Sequence, residues 1–394
     1  MEKLLVKGFR AAGIAAGLKK KGKKDLGLLF SQVPANVAGI FTRNRVKASP
    51  VLLDMERIKS GVSQAVIVNS GNANCCTGDQ GMQDAITMAR LAASELGISE
   101  DLVLVASTGV IGEPLPINKI EIAVPDLVGS LKLEGISDLA RAIMTTDTVP
   151  KKVSREGQLE GKTFTVTGVA KGAGMTRPDM ATMLCFVCTD VEAESEVLKE
   201  TLAKAADRSF NRITIDGDTS TNDTVLVLAN GLSGAAIKNP AHKKIFQKVL
   251  DEIFLDLAKR LVRDGEGVTK LVEVIVRGAA LDTDARKIAD AIAHSPLVKT
   301  AFFGEDANWG RILAAAGRAD AAVDPDKIDI YFDDVQMVKA GMGCGKTIEA
   351  EATKVLKKPE FTLAVDLNMG HESYSMYTCD FSVDYVKINA DYRS

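Results

Sequence analysis

The chain reads as a mixed α and β protein of about two closely packed units. Three observations predict this. The first half is a series of short β-type runs that stop at polar, glycine-containing loops. Amphipathic helical stretches appear after Asp190, and strands and helices never settle into the regular alternation of a doubly wound sheet. A chain of 394 residues, 46% of them hydrophobic, is also long enough to bury a substantial core.

The elements follow in order. Ala65–Asn69 reads as a buried strand running into the loop Ser70-Gly71-Asn72-Ala73-Asn74, and Leu102–Ala106 is a second, ending at Ser107-Thr108-Gly109. Thr163–Thr167 alternates as a half-buried strand does. Ser195 to Phe210 predicts a helix, with Ser195 as its cap and Val197, Leu198, Leu202, Ala205 and Ala206 on one face. Ile213–Ile215 and Thr224–Leu228 frame the polar loop 216–223. His242 to Val262 predicts a long amphipathic helix, and Leu271–Val276 a strand. A smaller unit is expected from Asp282 onward, giving units 1–281 and 282–394. The second holds a helix through Ala293 and strands at Ile328–Phe332, Phe361–Val365 and Tyr374–Tyr385.

Charge and composition narrow the function classes. A formal net charge of −3 gives no reason to expect a nucleic-acid partner. The one dense basic run, Lys19 to Lys24, lacks interleaved aromatics and reads as a solvated turn. No run of about 18 apolar residues exists, so no membrane-spanning helix is expected. The N-terminal apolar stretch is broken by Lys7 and Arg10 and reads as mature sequence rather than an export signal. Six scattered cysteines do not make a disulfide scaffold, so a cytoplasmic protein with reduced thiols is expected. Cys185 and Cys188 have CxxC spacing, but no second pair or nearby histidine completes a zinc site, and no metal is expected. Loop 216–223 is acidic but lacks EF-hand spacing. Ala340 to Thr347 falls one glycine short of a phosphate-binding loop and reads as a glycine-rich turn.

The most informative stretch is Lys171 to Asp190, KGAGMTRPDMATMLCFVCTD, with Ala181 followed by Thr182. A threonine in an apolar run is ordinarily a core strand residue. It becomes a nucleophile if the chain is cut in front of it, because the new α-amine then serves as its base. That amine has a reference pKa near 8, roughly, so it is easily free at neutral pH. The same hydroxyl can make the cut by attacking the Ala181 carbonyl, for which a small Ala181 leaves room. Read alone, the pair Ala181–Thr182 leaves both interpretations open.

This stretch resembles the processing and nucleophile motif of the ornithine acetyltransferases of arginine biosynthesis, the ArgJ family. The resemblance covers essentially the whole chain: GFRAAGIAAGLK, VNSGNANCCTGDQG, STGVIGEPLP, Thr145-Thr146-Asp147-Thr148, FNRITIDGDTSTNDTV, DGEGVTK, FFGEDANWGRI and YVKINADYRS stand in the same order. It implies a four-layer αββα sandwich with a smaller C-terminal α/β unit. It also implies self-cleavage at 181/182 into an α chain, 1–181, and a β chain, 182–394, assembled as an α2β2 heterotetramer. Thr182 would be the nucleophile, and Thr108 with Gly109 the oxyanion hole. Thr145 (with Thr146 close behind), Lys171, Thr182, Glu266, Asn389 and Ser394 would bind substrate. The implied reaction moves acetyl from N-acetylornithine to glutamate through an acetyl-threonine, with no bound cofactor; some family members also accept acetyl-CoA as a substrate. Two positions depart from the family pattern. Asp179 stands where Asn is usual, and Ala173 where Ser is common. Asp179 lacks the amide donor and puts the rate of self-cleavage in question.

Two rivals from other classes remain. An amidohydrolase or aminopeptidase with the same N-terminal-nucleophile logic would use water in place of glutamate as acceptor. A nucleotide-binding module would use the 340–347 loop.

Overall fold

The computed structural model describes residues 4–177 and 183–391. Thr182, Ala181, Asp179 and Ser394 lie outside the described residues. Two compact units emerge, Met1–Asn211 with Asp218–Leu261, and Arg212–Gly217 with Val262–Ser394.

The first unit contains β1 (Phe9–Ile14), β2 (Leu26–Phe41), β3 (Val62–Asn72), β4 (Val103–Val110), β5 (Lys151–Leu159), β6 (Lys162–Lys171), β7 (Leu184–Thr189) and β8 (Thr224–Ala229). Hydrogen bonding runs in the order β4-β3-β2-β8-β7-β6-β5, with β1 also on β2. β2 turns this continuous ladder into two layers. Its first part pairs with β3 from Leu26↔Asn69 to Phe30↔Ala65, and its last part pairs with β8 from Asn36↔Ala229 to Phe41↔Thr224. Between them the register breaks, in the segment holding Pro34, which has no N–H to give a ladder.

Alternation along each strand then sorts the side chains. Val66, Val68, Leu104 and Ala106 face inward against Val169, Leu184, Phe186, Leu226 and Leu228, forming the core between the layers. Ala65, Ile67, Val103 and Val105 face outward. They pack on Met88, Ala89 and Ala92 of α2 (Gly78–Leu96) and on Ile120, Val124 and Leu127 of α3 (Ile117–Gly129). α1 (Ser49–Arg57) packs on β4 and α2, whereas α4 (Ile136–Ala142) puts Ile136, Leu139 and Ala140 into the core between the layers. On the far side lie α5 (Ser195–Asp207) and α6 (Pro240–Arg263), with Phe246 of α6 against Phe164 of β6 at 6.1 Å between ring centroids. The expected αββα sandwich is therefore the architecture of this unit.

The second unit is built on β9 (Leu271–Ala279), β10 (Asp329–Phe332), β11 (Val335–Lys339), β12 (Met342–Gly343), β13 (Glu360–Asp366) and β14 (Glu372–Cys379), ordered β12-β11-β10-β13-β9-β14. Around the sheet run α7 (Asp282–Ala293), α8 (Pro296–Phe303), α9 (Trp309–Gly317), α10 (Lys346–Leu356) and α11 (Val383–Ala390). Val272, Val274, Val276, Ile288, Ile292, Phe302, Ile330 and Leu363 are among its core residues.

Several boundaries differ from the sequence reading. Contacts divide the units at 261/262, not 281/282, because β9 pairs in parallel with β13 and antiparallel with β14. The strand expected over Tyr374–Tyr385 ends at Cys379; Ser382 then caps α11, its Oγ accepting from the Tyr385 amide. Ser195 opens α5 but does not cap it, since its Oγ donates to the Gly61 carbonyl at 2.7 Å. Ala340 and Gly341 form the tight turn between β11 and β12, Gly343 ends β12 and Gly345 precedes α10. Among the described residues, no helix is long and apolar enough to cross a membrane.

Candidate active site

Lys171 closes β6, and antiparallel register sets it opposite Leu184, the first residue of β7. β8 begins at Thr224 in parallel register with the same Leu184. Three strand ends therefore meet two residues after Thr182. From the other layer, β4 brings Thr108, whose Oγ1 accepts a hydrogen bond from Lys171 Nζ at 3.0 Å. Both side chains are buried. A buried ammonium is costly unless partnered, so this contact is a feature that the fold has to support.

Gly109 follows at a sharp irregularity where β3 and β4 part, Asn72 standing opposite both Thr108 and Val110. Its φ of +138° and its closeness to β3 exclude a side chain; a Cβ there would lie 2.3 Å from the Gly71 carbonyl carbon. The Thr108-Gly109 pair thus sits where the strand is distorted away from ordinary ladder geometry.

Asp147 organises the Thr145 segment. Its Oδ1 accepts from Lys151 Nζ at 2.6 Å and from the Gly172 amide at 2.8 Å, and its Oδ2 accepts from the Thr145 amide at 3.0 Å. Burial would raise this carboxyl, but the Lys151 and Lys171 ammonium groups and the Gly172 amide outweigh it and hold Asp147 down at about 2. One carboxylate therefore fixes both Thr145 and the residue after Lys171. Lys19 stands nearby, its Nζ donating to the Met144 carbonyl at 2.8 Å. Burial lowers the Lys19 ammonium to about 8 against the opposing pull of Asp25, with Lys171 lowering it further.

A second carboxyl touches the residue after Thr182. Asp223 Oδ1 accepts from the Met183 amide at 2.9 Å, and the Thr224 amide donates to the Met183 carbonyl at 3.0 Å. Burial pushes the Asp223 carboxyl up to about 8, against the Met183 N–H and Lys171.

In the second unit, Glu266 is buried and its Oε2 accepts from Asn389 Nδ2 at 2.7 Å; the same Nδ2 donates to the Tyr385 carbonyl at 3.0 Å. Glu266 and Asn389, each expected separately as a substrate-binding residue, are thus in direct contact.

The structure brings together Thr108, Gly109, Thr145 and Lys171 in one unit, and Glu266 with Asn389 in the other. Sequence reading missed Asp147, Lys151, Asp223 and Lys19. Asp147 lay inside a singled-out segment, but attention went to its threonines. Lys19 was expected in a solvated turn but is half-buried, whereas its neighbours Lys20 and Lys23 are exposed. The CxxC cysteines are inert core: burial pushes the Cys188 thiol up to about 12 and that of Cys185 higher still.

The ArgJ family matches residues 10–394. An arginine biosynthesis bifunctional protein ArgJ of Geobacter sulfurreducens is 53% identical over 391 residues, spanning 99% of this chain and 100% of that protein. Its counterpart from Syntrophotalea carbinolica is 54% identical over 391 residues, 99% of each chain. Among solved structures, ornithine acetyltransferase complexed with ornithine from Mycobacterium tuberculosis is 41% identical, covers 44% of this chain and 92% of that one, and aligns with a TM-score of 0.40. The family match runs through every segment that builds the site, and the chain belongs to the ArgJ family.

Proposed function

We propose that this protein is a glutamate N-acetyltransferase that takes acetyl from N2-acetylornithine through an ester on Thr182. The observation that carries the reading is the buried Lys171–Thr108 contact at 3.0 Å, at the strand ends that flank the residue after Thr182. It supplies a cation and a hydroxyl in a dry site, where electrostatic stabilisation is strongest.

In the precursor, Thr182 Oγ attacks the Ala181 carbonyl carbon, the Ala181–Thr182 C–N bond breaks, and water hydrolyses the resulting ester. The freed α-amine is the general base thereafter. In the first half-reaction it takes the Thr182 hydroxyl proton as Oγ attacks the acetyl carbonyl. Thr108 and Gly109 donate to the oxyanion, and the proton passes to the departing N2 of ornithine. In the second half-reaction the amine of glutamate attacks the acetyl-threonine ester, and N-acetylglutamate leaves. Lys171 is a partner for the α-carboxylate that both substrates carry. Glu266, with Asn389, suits the side-chain ammonium that ornithine alone carries. Thr145 and Ser394 complete the substrate contacts.

The acetyl group rides on the enzyme, so the chemistry needs no metal or bound cofactor. Acetyl-CoA is a second acetyl donor in this reading; the word bifunctional in the relatives' names supports a second activity. Two α and two β chains assemble in the cytoplasm.

A denaturing gel with N-terminal sequencing tests the core of the proposal. Fragments of 181 and 213 residues are expected, the second beginning Thr-Met-Leu-Cys-Phe. A single intact band with full activity refutes it. Incubation with acetylornithine, with and without glutamate, separates transfer from the amidohydrolase alternative. Ornithine release that continues undiminished without glutamate would favour the hydrolase.

A further inference from the structure

Loop 216–223 is polar and acidic in sequence, yet its last residues are buried and make long-range contacts. Asn222 and Asp223 reach in two directions. Asn222 Nδ2 donates to the Ser107 carbonyl at 2.8 Å and to the Ala73 carbonyl at 2.7 Å. The Asn222 amide side chain is itself oriented by Thr221 Oγ1, which donates to Oδ1 at 2.6 Å. Ser107 is bonded to Thr108, so Asn222 grips β4 next to the oxyanion pair. Asp223 Oδ1 takes the Met183 amide hydrogen at 2.9 Å. That nitrogen is the backbone atom bonded to the Thr182 carbonyl carbon, so Asp223 grips the chain directly after Thr182.

The parallel ladder of β7 and β8 explains why a side chain is needed. Thr224 N–H to Met183 C=O is its last backbone bond in this direction. The Met183 amide would next look for a backbone acceptor, and the Asn222 carbonyl is engaged by Thr224 Oγ1 at 3.0 Å. The Asp223 carboxyl takes over, and the Asp223 backbone is held in turn by the Thr42 amide at 3.0 Å. Both residues are 6% exposed or less, so these bonds do not exchange freely with water.

We propose that Asn222 and Asp223 are positioning residues that together set the gap between Met183, which follows Thr182 in the chain, and Ser107, which precedes the Thr108-Gly109 oxyanion donors. This rests on the reading of Thr182 and Thr108 given above. Two adjacent residues, one bound to each reacting element, make that gap depend on a single rigid dipeptide. Displacement of a nucleophile by about 1 Å can cost on the order of 100-fold in rate. The pair therefore acts on kcat, with binding of either substrate left to other residues.

The test is a double-mutant cycle in the full-length protein. Asp223→Ala is combined with Thr108→Ala, and kcat and KM for acetylornithine are measured on the self-cleaved fraction. Thr108→Ala alone is expected to lose roughly 100- to 1000-fold, and Asp223→Ala about 100-fold in kcat with KM changed less than about 3-fold. If the two act through the same alignment, the double variant stays within about 10-fold of Thr108→Ala. Asp223→Asn keeps a carbonyl oxygen for the Met183 amide and is expected to recover at least about 10-fold of the Asp223→Ala loss. Losses that multiply, a KM effect equal to the kcat effect, or no recovery in Asp223→Asn overturn the proposal. Where a folded variant stays uncut, the same cycle is read on the cleavage rate. If Asp223→Ala does not fold, Asn222→Ala takes its place in the cycle. If neither folds, the pair serves the fold alone and the proposal falls. Thr182→Ala separates the two levels: acetyl transfer that survives it refutes the nucleophile, whereas multiplying losses with Thr182→Ala inactive refute only the positioning role.

Discussion

The Lys151–Asp147 pair offers the sharpest energetic test, because both side chains have no exposed surface and their atoms are 2.6 Å apart. Replacing Lys151 by Met keeps the volume and removes the charge. Asp147 is held at about 2 against an ordinary 3.8, which corresponds to about 2–3 kcal/mol of stabilisation at neutral pH. Stranding a buried carboxylate typically costs about 3–5 kcal/mol. Here the Gly172 and Thr145 amides remain as donors, so the lower end, about 3 kcal/mol, is expected for Lys151→Met. The sign follows from the direction of the shift. A carboxyl whose folded pKa is depressed stabilises the protein above its unfolded pKa and loses that contribution as pH falls from about 4 towards 2. In Lys151→Met the carboxyl titrates higher and protonates at less cost. The gap between variant and parent should thus be largest near pH 7 and shrink below about pH 4. Urea denaturation at pH 7, 5 and 3 measures it. A gap under about 1 kcal/mol at pH 7, or one that does not change with pH, would refute the assignment of Asp147 as a buried, lysine-stabilised anion.

Other substitutions probe the site directly. Lys171→Met should raise KM for both acetylornithine and glutamate in steady-state assays, and an unchanged KM would sink its role as carboxylate partner. Glu266→Gln should raise KM for acetylornithine by about 10-fold or more through the lost charge-assisted contact, while KM for glutamate moves less than about 3-fold; equal effects would contradict the ammonium assignment. Gly109→Ala should abolish activity and lower Tm, since its Cβ would sit 2.3 Å from the Gly71 carbonyl carbon at a φ of +138°. A variant with normal kcat would show that this backbone has room to move.

The fold class and the strand-forming runs were legible because alternation and apolar runs are local signals. Thr108, Gly109, Lys171 and Glu266 were legible only through whole motifs; nothing about a lone lysine announces a buried contact with a threonine 63 positions away. Asp147 and Asp223 were hidden for the opposite reason. Each sits among polar residues in a short loop, and such loops read as solvated turns whether or not they are. Asp25 shows how a turn is drawn inward: its carboxylate accepts from the Ala16, Leu18 and Lys19 amides at 2.6, 2.7 and 2.8 Å. That closes the loop and aims Lys19 at Met144 while Lys20 stays in solvent. The break between units was misplaced because β9 is contiguous in sequence with the first unit, and its partners β13 and β14 come some 90 residues later.

Strand order also bears on how this fold would hold together if the proposed cut before residue 182 were made. A break before residue 182 would separate β1–β6 on one chain from β7 and β8 on the other. In the sheet, however, β8 and β7 are adjacent, flanked by β2 on one side and β6 on the other. Both flanking strands belong to the 1–181 fragment. β6 pairs with β7 from Val166↔Thr189 to Lys171↔Leu184, and β2 with β8 from Asn36↔Ala229 to Phe41↔Thr224. Leu184, Phe186, Leu226 and Leu228 add their burial to the inter-layer core. The cut therefore removes one covalent link while leaving backbone ladders and apolar contacts on both sides of the inserted pair. Residue 182 would become a chain end only two positions before a strand locked from both edges. In the proposed reading, the hydrogen bonds and core packing of β7 and β8 would stand in for the peptide bond lost in front of residue 182.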